Sequence, residues 1–328
     1  MKTVNDNAHA PVPVITVTYS PGRHLRALLE SLPEATVRGT RTVLADNGST
    51  DGVPQAEAAA RDDVEFLDTG GNIGYGAAIN AAWRHLDRGA GAGDPAVGDV
   101  VDGGAVDGGA GDTAGDATVD TEFLVVVNPD VVFEPGAIDA MIECARRHPE
   151  AGAIGPLIHD PAGAVYPSAR ELPDLVHGAG HAVLAGIWPD NPFTRAYRAG
   201  SDMSRERAAG WLSGSCLLLR REALEQIGGF DERYFMYLED VDLGDRLARA
   251  GWSSVLCVDA GVVHDQGHAA NAHRTVTSAA HHHSAYAYLA DRHPGPLQAP
   301  LRLALRAGLA VRRCVATAAA RLTDTTRK

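Results

Sequence analysis

The sequence has little cysteine, methionine or aromatic content: four Cys, four Met and 5% Phe, Trp and Tyr in 328 residues. The cysteines, Cys144, Cys216, Cys257 and Cys314, stand far apart. Their spacing gives neither a disulfide framework nor a zinc motif, and it fits a reducing compartment. Long hydrophobic runs are missing as well. No segment approaches the ~18 apolar residues of a membrane-spanning helix, and the N-terminus lacks the basic-then-apolar pattern of a signal peptide. A cytoplasmic chain is expected. Positive charge is also short, with 29 Lys and Arg against 42 Asp and Glu and a net charge of −13. That argues against nucleic acid as a partner.

What is present is unevenly distributed. A composition of 45% hydrophobic and 22% charged residues is that of a soluble globular chain. Asp87–Asp120, however, carries ten of the 36 glycines and eight aspartates against one arginine. With almost no large apolar side chains to offset its ordering entropy, this stretch is expected to be a disordered surface insertion. Its Asp-Gly repeats lack the spacing of calcium-binding loops. At the other extreme, Pro294–Lys328 holds seven basic residues and one aspartate. There Leu297, Leu301, Leu305 and Leu309 recur every four positions beside Arg302, Arg306 and Arg313, as in a basic amphipathic helix. Such a helix can lie on an anionic membrane surface, pack on the catalytic body, or join a homodimer. The expected division is a catalytic domain over 1–293 and this helix and tail over 294–328.

Between these extremes, short β-branched runs alternate with helical spacing. Strands are expected at Val12–Tyr19, Arg41–Ala45, Val64–Leu67, Glu122–Val127, Ala153–Ile158, Trp211–Leu219, Ser254–Val258 and Gly261–Val263. Helices are expected at Arg23–Leu32, Tyr75–Leu86, Gly136–Arg147, Arg221–Ile227 and Glu239–Ala250. That order is the mark of an α/β fold with a mostly parallel sheet flanked by helices. Tyr166–Arg207, rich in Pro, Gly, His and Trp without clear periodicity, reads as a lid or substrate loop.

Ligands of such sheets sit at the carboxyl ends of the strands, and polar clusters occur there. Asp46-Asn47-Gly48-Ser49-Thr50-Asp51 reads as a turn with a helix cap, or as an acid aimed at a base or ribose. Asn72–Asn80 reads as a plain helix start or as a close backbone approach to an anionic ligand. Asn128-Pro129-Asp130 is a proline turn, or a strand-tip acid placed to hold a divalent cation. Glu239-Asp240-Val241-Asp242 puts three acids in a first helical turn behind Tyr234-Phe235-Met236-Tyr237. The helix dipole favours one or two acids there, and a third leaves room for a general base. His264 ends the last strand, and a lone histidine has a structural reading too. In His281-His282-His283 a partly exposed polar face is the simpler reading than a second metal site.

Taken in order, Thr16–Tyr19, Asp46–Asp51, Asn72–Asn80, Asn128–Asp130, Gly214-Ser215 with Gly228-Gly229-Phe230-Asp231, Glu239–Leu243 and His264 resemble family 2 glycosyltransferases over about residues 12–290. Within that family the chain looks most like rhamnosyltransferases of the actinobacterial cell-wall linker, which use dTDP-rhamnose and a polyprenyl-diphosphate-linked N-acetylglucosamine. The resemblance implies a GT-A fold and inverting transfer. It implies that Thr18, Tyr19, Ser20, Asp46, Asn72, Gly74, Asn80 and Asn128 bind the nucleotide-sugar donor. Asp130 and His264 would hold Mg2+ or Mn2+, Asp240 would be the general base with Glu239 in support, and Trp211, Gly214 and Ser215 would lie near the lipid-linked glycan acceptor. The chain departs from the family's common Asp-x-Asp at Asn128, whose neutral amide removes one charge and makes metal binding lean on the donor diphosphate. Transfer of galactofuranose or another hexose is an alternative. A sugar nucleotidyltransferase or a non-catalytic nucleotide-sugar binder would leave Glu239 and Asp240 unexplained.

Overall fold

The computed structural model describes residues 10–90, 120–173, 202–265 and 274–309. Its main feature is a ten-stranded mixed sheet in the order β3-β2-β1-β4-β11-β6-β12-β5, with β7 beside β6 and β9 beside β12. The first half follows sequence expectation. Strands β1 (Val12–Thr18), β2 (Thr40–Asp46), β3 (Val64–Asp68) and β4 (Phe123–Val127) run parallel. They are joined by helices α1 (Arg23–Ala35), α2 (Val53–Ala59) and α3 (Tyr75–Ala90). Then come β5 (Val131–Phe133), α4 (Ala137–Arg147), β6 (Ala151–His159), β7 (Val165–Tyr166) and β8 (Ala169–Arg170). After the undescribed stretch follow β9 (Arg207–Ala209), β10 (Trp211–Leu212), β11 (Cys216–Arg220), α5 (Arg221–Ile227), α6 (Glu239–Arg249), β12 (Ser253–His264) and α7 (Arg274–Asp291). A last helix spans 299–309.

Both sheet faces are covered, and strand alternation shows how. Val12, Val14, Val125, Val127, Cys216 and Leu218 point to one face with α1 and α4. Ile15, Val17, Leu124, Val126, Leu217 and Leu219 point to the other, where α3, α5 and α6 contribute Ile79, Leu224 and Leu243. Strands buried on both faces must be apolar at nearly every position. That is why β4 is an unbroken apolar run and β1 is apolar at five of seven positions, both buried throughout.

Three expectations change in the structure. The run Trp211–Leu219 is two strands: β10 pairs with β8 in a small separate sheet, and Ser213-Gly214-Ser215 intervenes before β11. The two closing strands are one long strand, β12, whose register against β6 shifts between Cys257 and Gly261. The ends of the acidic insertion are anchored. Helix α3 continues through Ala90, with Asp87 paired to Arg221, and Asp120 is buried beside Arg38 at 2.7 Å. Asp120 also accepts the Glu122 and Phe123 amides, which starts β4. Residues 91–119 of the insertion and 174–201 of the expected lid lie outside the described residues, as do 310–328 of the tail.

Candidate active site

Thr18 and Asp46 are register partners at the ends of β1 and β2, and the Thr18 hydroxyl donates to Asp46 Oδ1 at 2.7 Å. The Ser49 hydroxyl donates to the same oxygen, and the Gly48 and Ser49 amides donate to Oδ2. A carboxylate accepts about four such bonds, so Asp46 is fully engaged. Here its carboxylate builds the turn, and a nucleotide contact would have to come at its rim. Ser20 is locked to that rim: its amide donates to Ser49 Oγ at 2.7 Å and its hydroxyl accepts the Thr50 amide at 3.0 Å. Tyr19 stays 45% exposed beside it. Ser20 has φ 50, a left-handed conformation that costs a non-glycine residue free energy.

Asn47 ties the next loop in place. Its Nδ2 donates to Gly74 O at 3.2 Å, and its Oδ1 accepts the Thr69 hydroxyl at 2.9 Å. Asn72 is exposed, and its Oδ1 accepts the Gly74 amide at 3.2 Å. Gly74 has φ +94, and a Cβ on it would lie 2.7 Å from Phe235 O. That carbonyl accepts the Tyr75 amide at 3.0 Å, so glycine here lets the start of α3 touch the segment leading to α6. Gly74→Ala is expected to cost about 1–3 kcal/mol in backbone strain, with a larger loss in turnover than in stability. Chemical denaturation alongside steady-state kinetics checks this.

Asn80 is a correction to the sequence expectation. It is 3% exposed, its Oδ1 accepts the Phe230 amide at 2.9 Å, and its Nδ2 donates to Phe230 O at 2.8 Å. Both ends of the amide are used on one buried residue, so Asn80 clamps Gly229-Phe230 to α3 and does not face a diphosphate. The helical repeat alone could not tell which face of α3 pointed outward.

Asp130 and His264 do meet. They flank the antiparallel pairing of β5 with β12, where His264 is opposite Val131, and His264 Nε2 lies 3.0 Å from Asp130 Oδ1. Two adjacent ligands of an octahedral cation with bonds near 2.1 Å stand about 3.0 Å apart, and a carboxylate with an imidazole suits Mn2+. The donor set therefore fits a divalent cation. The other ring nitrogen of His264 is buried without a hydrogen-bond partner. Asn128 is fixed beside this pair by its amide, which donates to Ser215 O at 2.8 Å.

The acidic helix start comes next. Asp240 Oδ2 accepts the Gly214 amide at 3.0 Å and Oδ1 accepts the Val241 amide at 2.9 Å. Gly214 O in turn accepts the Tyr75 hydroxyl at 2.8 Å, so Tyr75 holds the peptide that aims Asp240. Glu239 differs: it is 9% exposed and its Oε2 has no partner. Burial raises the pKa of both carboxyls, and Asp240 adds to the effect on Glu239, which is pushed up to about 8. Two N–H donors favour the charged form of Asp240 and nothing comparable supports Glu239. The environments set the two carboxyls apart, with Glu239 the one that holds its proton to higher pH. A raised acid pKa means stability is greatest below the unfolded value of 4.5 and declines as pH rises toward 8. Glu239→Gln is expected to flatten that decline, read by urea unfolding across the same window.

The backbone just before this pair is strained. Tyr237 and Leu238 have φ 67 and 64, and with Ser20 they are the non-glycine residues of positive φ among those described. All three flank the site. The strained turn is braced by α7, where the Ser284 hydroxyl donates to Met236 O at 2.9 Å and His281 stacks edge-on against Tyr237. In the histidine run, His281 therefore supports this turn.

On the expected acceptor side, Trp211 donates from Nε1 to Glu171 O at 3.1 Å and packs against α6 at Gly244. Ser215 is buried, with its hydroxyl 3.0 Å from Ser213 Oγ. Arg170 lies 5.8 Å from the centre of the Trp211 ring and stabilises the Asp240 charge. Arg170, Asn47 and the role of Tyr75 escaped sequence reasoning. Tyr75 and Asn47 sat inside flagged runs, whereas Arg170 lay in a stretch without periodicity.

Known proteins resemble this chain. A profile described as "Glycosyltransferase like family 2" matches residues 7–280. The chain is 52% identical over 301 residues to an N-acetylglucosaminyl-diphospho-decaprenol L-rhamnosyltransferase of Mycobacterium tuberculosis, covering 92% of this chain and 91% of that protein. A mannosyltransferase from Pyrobaculum calidifontis in complex with GDP-Man and Mn2+ shares the fold, with TM-score 0.52, 18% identity and coverage of 97% and 80%. GalNAc-T7 with UDP, GalNAc and Mn2+ shares it as well, with TM-score 0.51, 11% identity and coverage of 79% and 44%. With a GT-A fold, a profile match over most of its length and a relative this similar, the chain belongs to glycosyltransferase family 2.

Proposed function

We propose that the protein transfers L-rhamnose from dTDP-rhamnose to N-acetylglucosaminyl-diphospho-polyprenol, with inversion, in assembly of a cell-wall linker. The observation that carries this reading is the 52% identity spread over nearly the full length of both proteins. Partial or single-domain likeness would not speak to the acceptor.

The site supplies the chemistry. Asp240, held by the Gly214 and Val241 amides, takes the proton of the acceptor hydroxyl as that oxygen attacks the anomeric carbon from the face opposite the nucleotide. Glu239 keeps its proton and so leaves the negative charge on its neighbour. The rim of Thr18, Tyr19, Ser20 and Asp46 orients the nucleoside, and Asn72, Gly74 and Asn128 border the diphosphate. Trp211, Gly214 and Ser215 form the acceptor side. Mg2+ or Mn2+ held by Asp130 and His264 would offset charge on the leaving nucleoside diphosphate.

Transfer assays over a panel of nucleotide sugars test this. Release of free nucleoside diphosphate with rhamnose, and little with hexosyl or galactofuranosyl donors, is expected. Release of pyrophosphate would instead mark a nucleotidyltransferase.

An acceptor on a lipid also gives the C-terminal helix a role. No helix among the described residues is long and apolar enough to cross a membrane. Yet Leu297 and Leu303 are 94% and 70% exposed, beside Arg302 and Arg306. The full chain should co-sediment with anionic liposomes and a chain ending before Pro294 should not. Equal binding by both would remove the membrane role.

A further inference from the structure

The cysteines that sequence spacing leaves unrelated are brought together by the fold. Cys144, near the end of α4, and Cys257, on β12, are both buried. With Glu206, just before β9, they form a group whose ligand atoms all lie within 4.8 Å of one another. The Cys144 thiol lies 3.4 Å from Glu206 Oε2. Tetrahedral zinc with bonds of about 2.3 Å to sulfur and 2.0 Å to oxygen sets such a pair about 3.5 Å apart.

The surroundings hold the carboxylate in place. His148, one turn after Cys144, places Nε2 2.8 Å from the other Glu206 oxygen. Its Nδ1 faces Glu150 Oε1 at 3.2 Å, so the ring is oriented from both sides and fixes the Glu206 carboxylate as an outer partner. Two thiolates and a carboxylate around Zn2+ would leave one negative charge, and Arg147 lies against the same carboxylate at 2.5 Å. A buried cysteine in an apolar core ordinarily packs as a small hydrophobe. Here Cys144 faces a carboxylate that also meets a histidine and an arginine, and Cys257, whose thiol donates to Ala140 O at 3.7 Å, lies within 4.8 Å of the same carboxylate, which calls for another explanation.

We propose that Cys144, Glu206 and Cys257 form a structural Zn2+ site, with His148 holding the Glu206 carboxylate from outside, and that the site pins the start of β9 to α4 and β12. The site is separate from the active centre. Cys257 and His264 are seven positions apart on β12, and across the register shift between Cys257 and Gly261 they span about four residues of β6, about 13 Å of strand. Bound metal here would tie together three elements distant in sequence.

Elemental analysis of the full-length protein, purified under reducing conditions, should find about one zinc per chain. Zinc should be lost in Cys144→Ser and Cys257→Ser and kept in Asp130→Ala. His148→Ala should weaken zinc binding about 10–100-fold. If the serine variants do not fold, the wild-type chain still decides. Zinc should be released as two thiols are titrated with a mercurial, and a Co2+-substituted protein should show thiolate-to-cobalt charge-transfer absorption, which a site of Asp130 and His264 cannot give. A chain that takes up no added Zn2+, a Cys144–Cys257 disulfide under the same conditions, or cobalt absorption without thiolate character would overturn the proposal.

Discussion

Asp240→Asn is expected to lower kcat by about 10²–10⁴-fold, the range of a lost general base, which is about 3–5 kcal/mol of transition-state stabilisation. The substitution changes little else. Asn has the same shape, its oxygen can still accept the Gly214 amide now 3.0 Å from Asp240 at the loss of the Val241 amide bond, and the Tyr75 link to Gly214 O is untouched. Donor affinity should therefore stay near that of the parent while turnover collapses. Glu239→Gln makes the contrast. Glu239 is buried, lacks a partner at Oε2 and is pushed up to about 8, so near neutral pH the amide replaces an acid that already carries its proton. That variant should keep turnover within about tenfold of the parent, since it removes no charge that the reaction uses. Stopped kinetics with donor binding measured in parallel separates the two. Unchanged turnover in Asp240→Asn would sink the base assignment, and collapse in Glu239→Gln alone would move the base one residue back.

The sequence made the sheet and the outline of this site readable because both depend on pattern. Val12–Thr18 and Phe123–Val127 are apolar at nearly every position because they are buried on both faces, and a polar residue follows where each strand reaches the ligand edge. Asp130 and His264 were read from two separate strand ends and stand 3.0 Å apart. What stayed hidden depends on space and not on pattern. The three-residue β5 is too short to show a period, though it carries the approach of Asp130 to His264. Ser213-Gly214-Ser215 sits inside an apolar run, so its break of the strand is masked by flanking leucines. Asn80 lies on a helix whose buried polar face is set by the Phe230 backbone, which no local spacing reveals. Cys144 and Cys257 have no relation in sequence until α4 is laid across β12.

Asp130→Ala is expected to reduce transfer by about 10²–10⁴-fold and to abolish the stimulation of donor binding by Mn2+. A metal that offsets leaving-group charge is worth several kcal/mol in the transition state, and each 1.36 kcal/mol is about tenfold in rate. In the proposed site the pair would supply two protein ligands, Asp130 Oδ1 and His264 Nε2, and Asn128 would add a neutral amide where a second acid would strengthen the site. Two ligands are too few to hold Mg2+ or Mn2+ tightly, because such cations fill the remaining positions with water and substrate phosphates. Calorimetry should therefore show weak Mn2+ binding to the free protein and much tighter binding once a nucleoside diphosphate is present. By linkage the nucleotide should gain the same factor from the metal. Asn128→Asp should strengthen metal binding in the absence of nucleotide and so shrink that mutual gain. Full activity in excess chelator, or a nucleotide affinity indifferent to Mn2+, would take Asp130 and His264 out of the metal role and leave the leaving-group charge to be met by the chain's own donors.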